Sequence, residues 1–258
     1  MDRHGKLWIE QRQLVDQVVE KLRDAIVGGQ FTPGERIRQE ELARQMGISR
    51  TPLRMALSVL TSQGLLHRTR TRGLAVPRFT YQQAMDLYQL RELILSFACR
   101  LATERISPRQ LEQLTAVLTD SEKFVGAGDW PGWLKANEDF TALIGSATEV
   151  GLLQHFLDAI STHAQMFRST LLALPGAGGG SPVAHAADEH RQIHDAIRDR
   201  DPDRAEQAAR NHVRRARARY QAAVGQVGGQ DQAGQDQAGG HDPAGQHQVG
   251  AARLADAG

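Results

Sequence analysis

The run from Glu40 to Val76, EELARQMGISRTPLRMALSVLTSQGLLHRTRTRGLAV, admits few folds. Leu42, Ala43 and Met46 recur at helical spacing until Gly47, whose missing Cβ lets a helix stop and turn. Ser49 is a residue type that caps helix starts, and Pro52 falls in a first turn, where its absent N–H has no intrahelical partner to lose. A second helix is therefore expected from about Arg50. Its apolar positions Leu53, Ala56, Leu57 and Leu60 follow the i, i+3, i+4, i+7 rule, which leaves Arg50, Thr51, Arg54 and Ser58 facing out. Arg50 and Arg54 stand one above the other near the end of the helix that enters the major groove in helix-turn-helix docking.

After Gly64, Leu65 and Leu66 lead into His67–Gly73, where Arg68, Arg70 and Arg72 alternate with period two and would line one face of a strand. Gly73 suits the turn, and Leu74-Ala75-Val76 the returning strand, making a basic wing. From Leu42 to Ala84 there is no Asp or Glu, while Arg44, Arg50, Arg54, Arg68, Arg70, Arg72 and Arg78 are all present. Charge of one sign is the footprint of a phosphate-lined partner. A helical hairpin with a merely solvated basic face would not need turn glycine, cap, exposed arginines and wing to coincide. Duplex DNA is the expected partner.

These residues also carry a family resemblance. LRDAIVGGQFTPGERIRQEELARQMGISRTPLRMAL, then GLL and RGLAV, resembles the winged-helix domain of the GntR family of bacterial transcription regulators over about Leu14 to Val76. PGE at Pro33–Glu35, LA at Leu42-Ala43, GISRTPLR at Gly47–Arg54 and RG at Arg72-Gly73 stand in the family's order. The resemblance implies operator contacts from Ser49, Arg50, Thr51, Arg54, Arg72 and Gly73. Some members have a further DNA-contacting arginine at the start of the second helix, where this chain has Glu40.

Charge is unevenly spread. Residues 1–77 hold 13 Lys and Arg against 8 Asp and Glu, residues 78–224 hold 17 against 18, and residues 225–258 hold 1 against 4. Only the first part is built for nucleic acid. Cys99 is the single cysteine, which excludes an intrachain disulfide and a thiolate zinc site. The N-terminus has charges throughout and no apolar core, and no run approaches the ~18 apolar residues of a membrane span. A cytoplasmic protein with no membrane partner is expected.

Residues 1–10 read as loosely ordered. From Arg12 the ridge Leu14, Val18, Leu22, Ile26 makes an amphipathic helix ending at Gly28-Gly29. Beyond the wing, Thr80 with Gln83 forms a capping-box pattern opening a long helix to about Arg105, whose apolar positions cover more than one stripe and predict packing on two sides. Ser107-Pro108-Arg109-Gln110 repeats the start signal. Segments from Trp130, Val150, Val183 and Pro202 follow, the last to about Val224, making six helices. Residues 225–258 are Gly, Gln and Ala with almost no large apolar residues and are expected to be disordered. The fold class is mainly α: a winged helix-turn-helix with a small β-hairpin wing over residues 10–77, an all-α six-helix bundle over residues 80–224, and a disordered C-terminal tail.

Six helices behind such a winged helix resemble the effector-binding and dimerisation domain of the FadR subfamily, on LYQLRELI (Leu87–Ile94), NEDFTALIGSAT (Asn137–Thr148), EHRQIHDAIRDRD (Glu189–Asp201) and ARNHV (Ala209–Val213). In many relatives the bundle holds a divalent transition metal through an acidic residue or Asn and three histidines. That pattern maps onto Asn137, His190 and His212, with Thr141 where the family has its first histidine. Threonine is a poor ligand for a soft or borderline ion. Two readings stay open: a zinc, nickel or manganese ion on Asn137, His190 and His212, or a pocket that hydrogen-bonds its effector directly through Asn137, Thr141, His190 and His212. His194, one turn beyond His190, is either a substitute ligand or a surface or pocket-edge histidine. Arg91 either faces the pocket to neutralise a carboxylate effector or makes a structural ion pair.

The resemblance implies a homodimeric regulator, a repressor in the first instance, on an inverted-repeat operator, controlled by a small-molecule effector, a carboxylate in typical members. A ligand-independent DNA binder and a metal-dependent bundle enzyme tethered to DNA are the alternatives. Against the enzyme stands the lack of a nucleophile with its base and of a Glu-x-x-His pattern.

Overall fold

The computed structural model describes residues 3–70, 73–172 and 181–238. The DNA-reading part consists of α1 (Arg3–Val27), α2 (Gln39–Met46), α3 (Arg50–Ser62) and a hairpin of β1 (His67–Arg68) and β2 (Leu74–Ala75). Helix α1 begins upstream of the expected Arg12, since extending a helix incurs none of the nucleation cost. It lays Val15, Val18, Val19, Leu22, Ile26 and Val27 against Leu53, Ala56, Leu57 and Leu60 of α3, with Leu65, Leu66 and Val76 closing the core. Each fully buried aliphatic side chain here contributes about 1.5–3 kcal/mol. Gly47 ends α2 at φ 66°, its N–H reaching back to the Ala43 and Arg44 carbonyls.

β1 and β2 pair antiparallel, His67 opposite Ala75 and Arg68 opposite Leu74. The other edge of β2 takes the segment after Pro33: Gly34 N donates to Val76 O, Val76 N to Glu35 O and Ile37 N to Leu74 O. The wing corrects one expectation. Arg68 and Arg70 do not share a strand, because the chain turns at Thr69: Thr69 N donates to Gly73 O and Gly73 N to Thr69 Oγ1, both at 3.0 Å. Arg68 therefore ends β1, Arg70 lies in the turn, and Arg72 is outside the described residues.

The bundle is α4 (Tyr81–Arg105), α5 (Pro108–Ala127), α6 (Trp130–Ala147), α7 (Gly151–Leu172), α8 (Ser181–Arg198) and α9 (Pro202–Ala238). Thr80 with Gln83 and Ser107 with Gln110 form reciprocal capping boxes, and the Asp129 side chain accepts from Gly132 N. Helix α4 packs against α9, α7, α6 and α8. Its small buried residues Ala84, Ala98, Cys99 and Ala102 let those neighbours approach, with Phe140, Ile144, Leu157, Ile193, Ile197 and Val213 filling the core. One face of α4 is nonetheless uncovered: Leu90, Leu93 and Phe97 remain 48%, 57% and 53% exposed. Helix α9 runs to Ala238, past the expected Val224, since extending a helix already begun carries no nucleation cost. The remainder of the expected tail, residues 239–258, lies outside the described residues.

Helix α7 joins the two parts. Its Met166 is buried in the core of the DNA-reading part. Phe79 of the connector packs against both cores, 4.7 Å from the Phe167 ring and 6.0 Å from that of His163.

Candidate functional site

Helix α3 presents the first candidate surface. Arg50, Thr51, Arg54 and Ser58 are exposed, as the helical spacing requires. Ser49 occupies the cap position with an extended backbone (φ −72°, ψ 162°), yet its side chain makes no cap hydrogen bond. A hydroxyl not drawn back into its own helix can face a phosphate. Between α3 and the wing runs a groove of about 370 Å³ lined by Gln39, Arg54, Met55, Ser58, Thr61 and Arg68 among others. Arg54 and Arg68 thus flank one channel, an arrangement suited to a duplex backbone on one side and base edges on the other. Gly73 closes the wing turn onto Thr69.

The second candidate lies inside the bundle. Arg91 (α4), Asn137 and Thr141 (α6), Glu189 and His190 (α8) and His212 (α9) are each 5% exposed or less. Burying so many polar groups is costly unless they are paired or reserved for a ligand. His190 stacks on Phe140 at 4.5 Å, and its ring lies 4.8 Å from that of His212. Phe140 stands between Asn137 and Thr141 on the inward side of α6. Arg91 Nη1 donates to Ser161 Oγ of α7 at 3.3 Å. Its charge also reaches His212 and Cys99.

Glu189 organises the α8–α9 side. A carboxylate can only accept, so His212 Nδ1 carries the proton it donates to Glu189 Oε2 at 2.9 Å, and Nε2 is left as the acceptor. Arg219 closes on the same carboxylate with two hydrogen bonds, 2.8 and 2.9 Å. Burial alone would push the Glu189 carboxyl up. The Arg219 guanidinium and the His212 N–H more than offset it and hold the group at about 2. Burial pushes His212 below its ordinary 6.5, helped by the Arg91 charge and opposed by Glu189, so its ring is neutral near pH 7. Cys99 is driven up to about 12 by burial and is no nucleophile.

His194 is neither at the surface nor at a pocket edge. It is buried and turned towards α5, where its Nε2 shares a 2.8 Å hydrogen bond with Thr115 Oγ1. The donor set also fails to match a transition ion. The Thr141 hydroxyl donates back to Asn137 O at 3.1 Å. Among the described residues no three of His, Cys, Asp and Glu come together as a metal would need. Two imidazoles and an amide oxygen lack the third strong donor of a tightly held zinc or nickel ion. The residues that sequence reasoning missed are Glu189, Arg219 and Ser161. Arg219 stands seven residues after His212, on the same helix face, which is a signal that could have found it.

Comparison with known proteins places the chain in context. Residues 14–76 match the family described as bacterial regulatory proteins, gntR family, and residues 86–215 match the FCD domain. The Nta operon transcriptional regulator of Aminobacter aminovorans is 36% identical over 127 residues, 48% of this chain and 59% of that protein. A probable D-xylose utilization operon transcriptional repressor of Paenarthrobacter nicotinovorans is 28% identical over 200 residues, 76% of this chain and 85% of its own. Among solved structures, that of E. coli McbR/YncC has a similar fold, with a TM-score of 0.73 at 21% identity over 81% of this chain and 98% of that one.

Proposed function

The chain belongs to the GntR family of bacterial regulatory proteins, its reading head followed by an FCD domain, and on that premise we propose that it is a dimeric cytoplasmic repressor released from an inverted-repeat operator by a small carboxylate. The observation that carries the effector class is a buried guanidinium, Arg91, whose charge acts on the buried His212 imidazole. A carboxylate fits Arg91 by charge and geometry. His212 Nε2 accepts from a donor on the same molecule, and Asn137, Thr141 and His190 complete the pocket. No metal is needed to hold such a ligand.

Ser49, Arg50, Thr51, Arg54, Arg72 and Gly73 make the DNA contacts, and residues 10–77 and 80–224 are the reading and sensing domains. A carboxylate on Arg91 competes with Ser161 for the guanidinium, and Ser161 shares α7 with His163 and Met166, which rest against the reading head. Ligand binding thus favours one placement of α7, and through it one spacing of the two reading heads. The second copy covers Leu90, Leu93 and Phe97 of α4 with Leu152 and Phe156 of α7, all exposed in the single chain. The repressor sign follows the relative named for xylose utilisation.

The test is fluorescence anisotropy with duplex DNA from upstream of the chain's own gene. Tight binding that falls steeply with salt and exceeds binding to a scrambled duplex by at least a hundredfold is expected. Equal affinity for both duplexes would overturn the operator-reading role.

A further inference from the structure

The first turn of α2 holds two carboxylates, Glu40 and Glu41, and the basic charge pattern beyond them does not explain the first. Between Leu42 and Ala84 there is no Asp or Glu, yet Glu40, in the first turn of α2, reaches the start of α3, with its Oε1 2.8 Å from Arg50 Nη2. Both side chains stand in solvent, 78% and 74% exposed. An ion pair so exposed adds almost nothing to stability. For phosphate binding it is adverse, since the carboxylate is repelled by both DNA backbones and cancels the charge of Arg50.

What the pair does provide is orientation. An arginine at the start of a recognition helix has two competing targets, phosphate oxygens, which carry no sequence information, and guanine O6 and N7, which do. Glu40 engages Nη2, and a guanidinium has further N–H donors with which to meet a base. Because the carboxylate cannot approach a phosphate, a guanidinium tied to it is turned towards the base edges. Arg54, also exposed, remains available for the backbone, whereas Arg38 stands 3.8 Å from Glu41.

We propose that Glu40 is a specificity-determining positioning residue, which holds Arg50 on a guanine of each half-site and away from the phosphates. The inference rests on the DNA-reading role proposed above. It concerns how one base pair is chosen, not whether DNA is bound.

The experiment is selection from a randomised duplex pool by the full-length wild type, Arg50→Ala, Glu40→Gln and Glu40→Asp, with binding of a non-specific duplex measured across salt concentrations. The wild type is expected to demand guanine at a half-site position that Arg50→Ala no longer distinguishes. Glu40→Gln should weaken that same preference by about tenfold, within the range a bidentate arginine–guanine contact supplies, while binding non-specific DNA more tightly. Glu40→Asp should recover part of it. Glu40 is too exposed for these changes to unfold the head, and unchanged thermal unfolding checks this. A full guanine preference in Glu40→Gln, or an Arg50→Ala selection identical to wild type, would overturn the proposal. So would a loss at a different base pair, which would make Glu40 itself the base reader. A wild type that selects no sequence would instead sink the DNA reading, and this inference with it.

Discussion

Glu189→Gln keeps the shape of the side chain and removes its charge, so its effect isolates the electrostatic work of the α8–α9 junction. Glu189 is 3% exposed and accepts three hydrogen bonds, one from His212 and two from Arg219. A neutral amide has one acceptor oxygen, and its NH2 must face one of these donors. Breaking a buried charge pair costs about 3–5 kcal/mol when the partner is trapped. Arg219, at 22% side-chain exposure, can swing towards solvent, so the lower part of the range applies, about 3–4 kcal/mol. For a domain of this size that corresponds to roughly 5–15 °C in Tm. The pH dependence gives a second check. The native carboxyl sits at about 2 against an ordinary 4.5, so its contribution is complete above about pH 4.5 and is lost as pH falls through 2. The gap between wild type and variant should therefore be constant from pH 7 to 4.5 and close below that. Thermal and urea unfolding of both proteins across this range is the assay. A destabilisation under about 0.5 kcal/mol, or a gap that persists unchanged into acid, would refute the reasoning.

Other variants test the remaining parts. Arg54→Ala removes a base or phosphate contact worth roughly 1–3 kcal/mol, and a mobility-shift assay should show at least a several-fold loss of operator affinity; unchanged affinity would remove α3 from the reading role. Thr141→His adds the third strong donor that the bundle lacks, so titration calorimetry should detect zinc binding in the variant and far weaker binding in the wild type. Equal zinc affinity in both would show that the donor set had been misjudged. Phe97→Asp places a charge on the uncovered face of α4 and should convert a dimer to a monomer in sedimentation analysis, with operator affinity falling as the two half-sites cease to be held together; a dimer that persists would move the interface elsewhere.

Where information is local, the chain could be read directly. Gly47, the stripe Leu53, Ala56, Leu57 and Leu60, and the capping residues Thr80 and Ser107 each act on their own few neighbours, and each stands where its spacing indicates. Features that depend on a distant partner were hidden. Arg78 counted only as another basic residue, but its side chain lies over Gly34, where an added Cβ would come within 2.1 Å of Nε. That contact, together with a φ of 85°, is why the PGE turn requires glycine. Periodicity marked Leu90, Leu93 and Phe97 as apolar without revealing that, among the described residues, they stay about half exposed. In the bundle, Arg91, Asn137, His190 and His212 could be singled out from motifs. The Glu189–Arg219 clasp that fixes the His212 tautomer could not, since it exists only once α8 and α9 lie side by side.

In the proposed mechanism the buried Arg91 guanidinium receives a small carboxylate, and this loosens the hold on DNA. Its most direct test is thermal unfolding of the full chain in the presence of EDTA with a panel of small carboxylates, for the wild type and for Arg91→Met, followed by operator binding with any compound that acts. A ligand at a hundredfold excess over its Kd stabilises the folded protein by about 2.7 kcal/mol. At least one carboxylate should therefore raise the wild-type midpoint by several degrees, leave Arg91→Met unmoved and weaken operator binding. A panel without effect on the wild type, or a shift that survives in Arg91→Met, would show that Arg91 does not anchor a carboxylate effector.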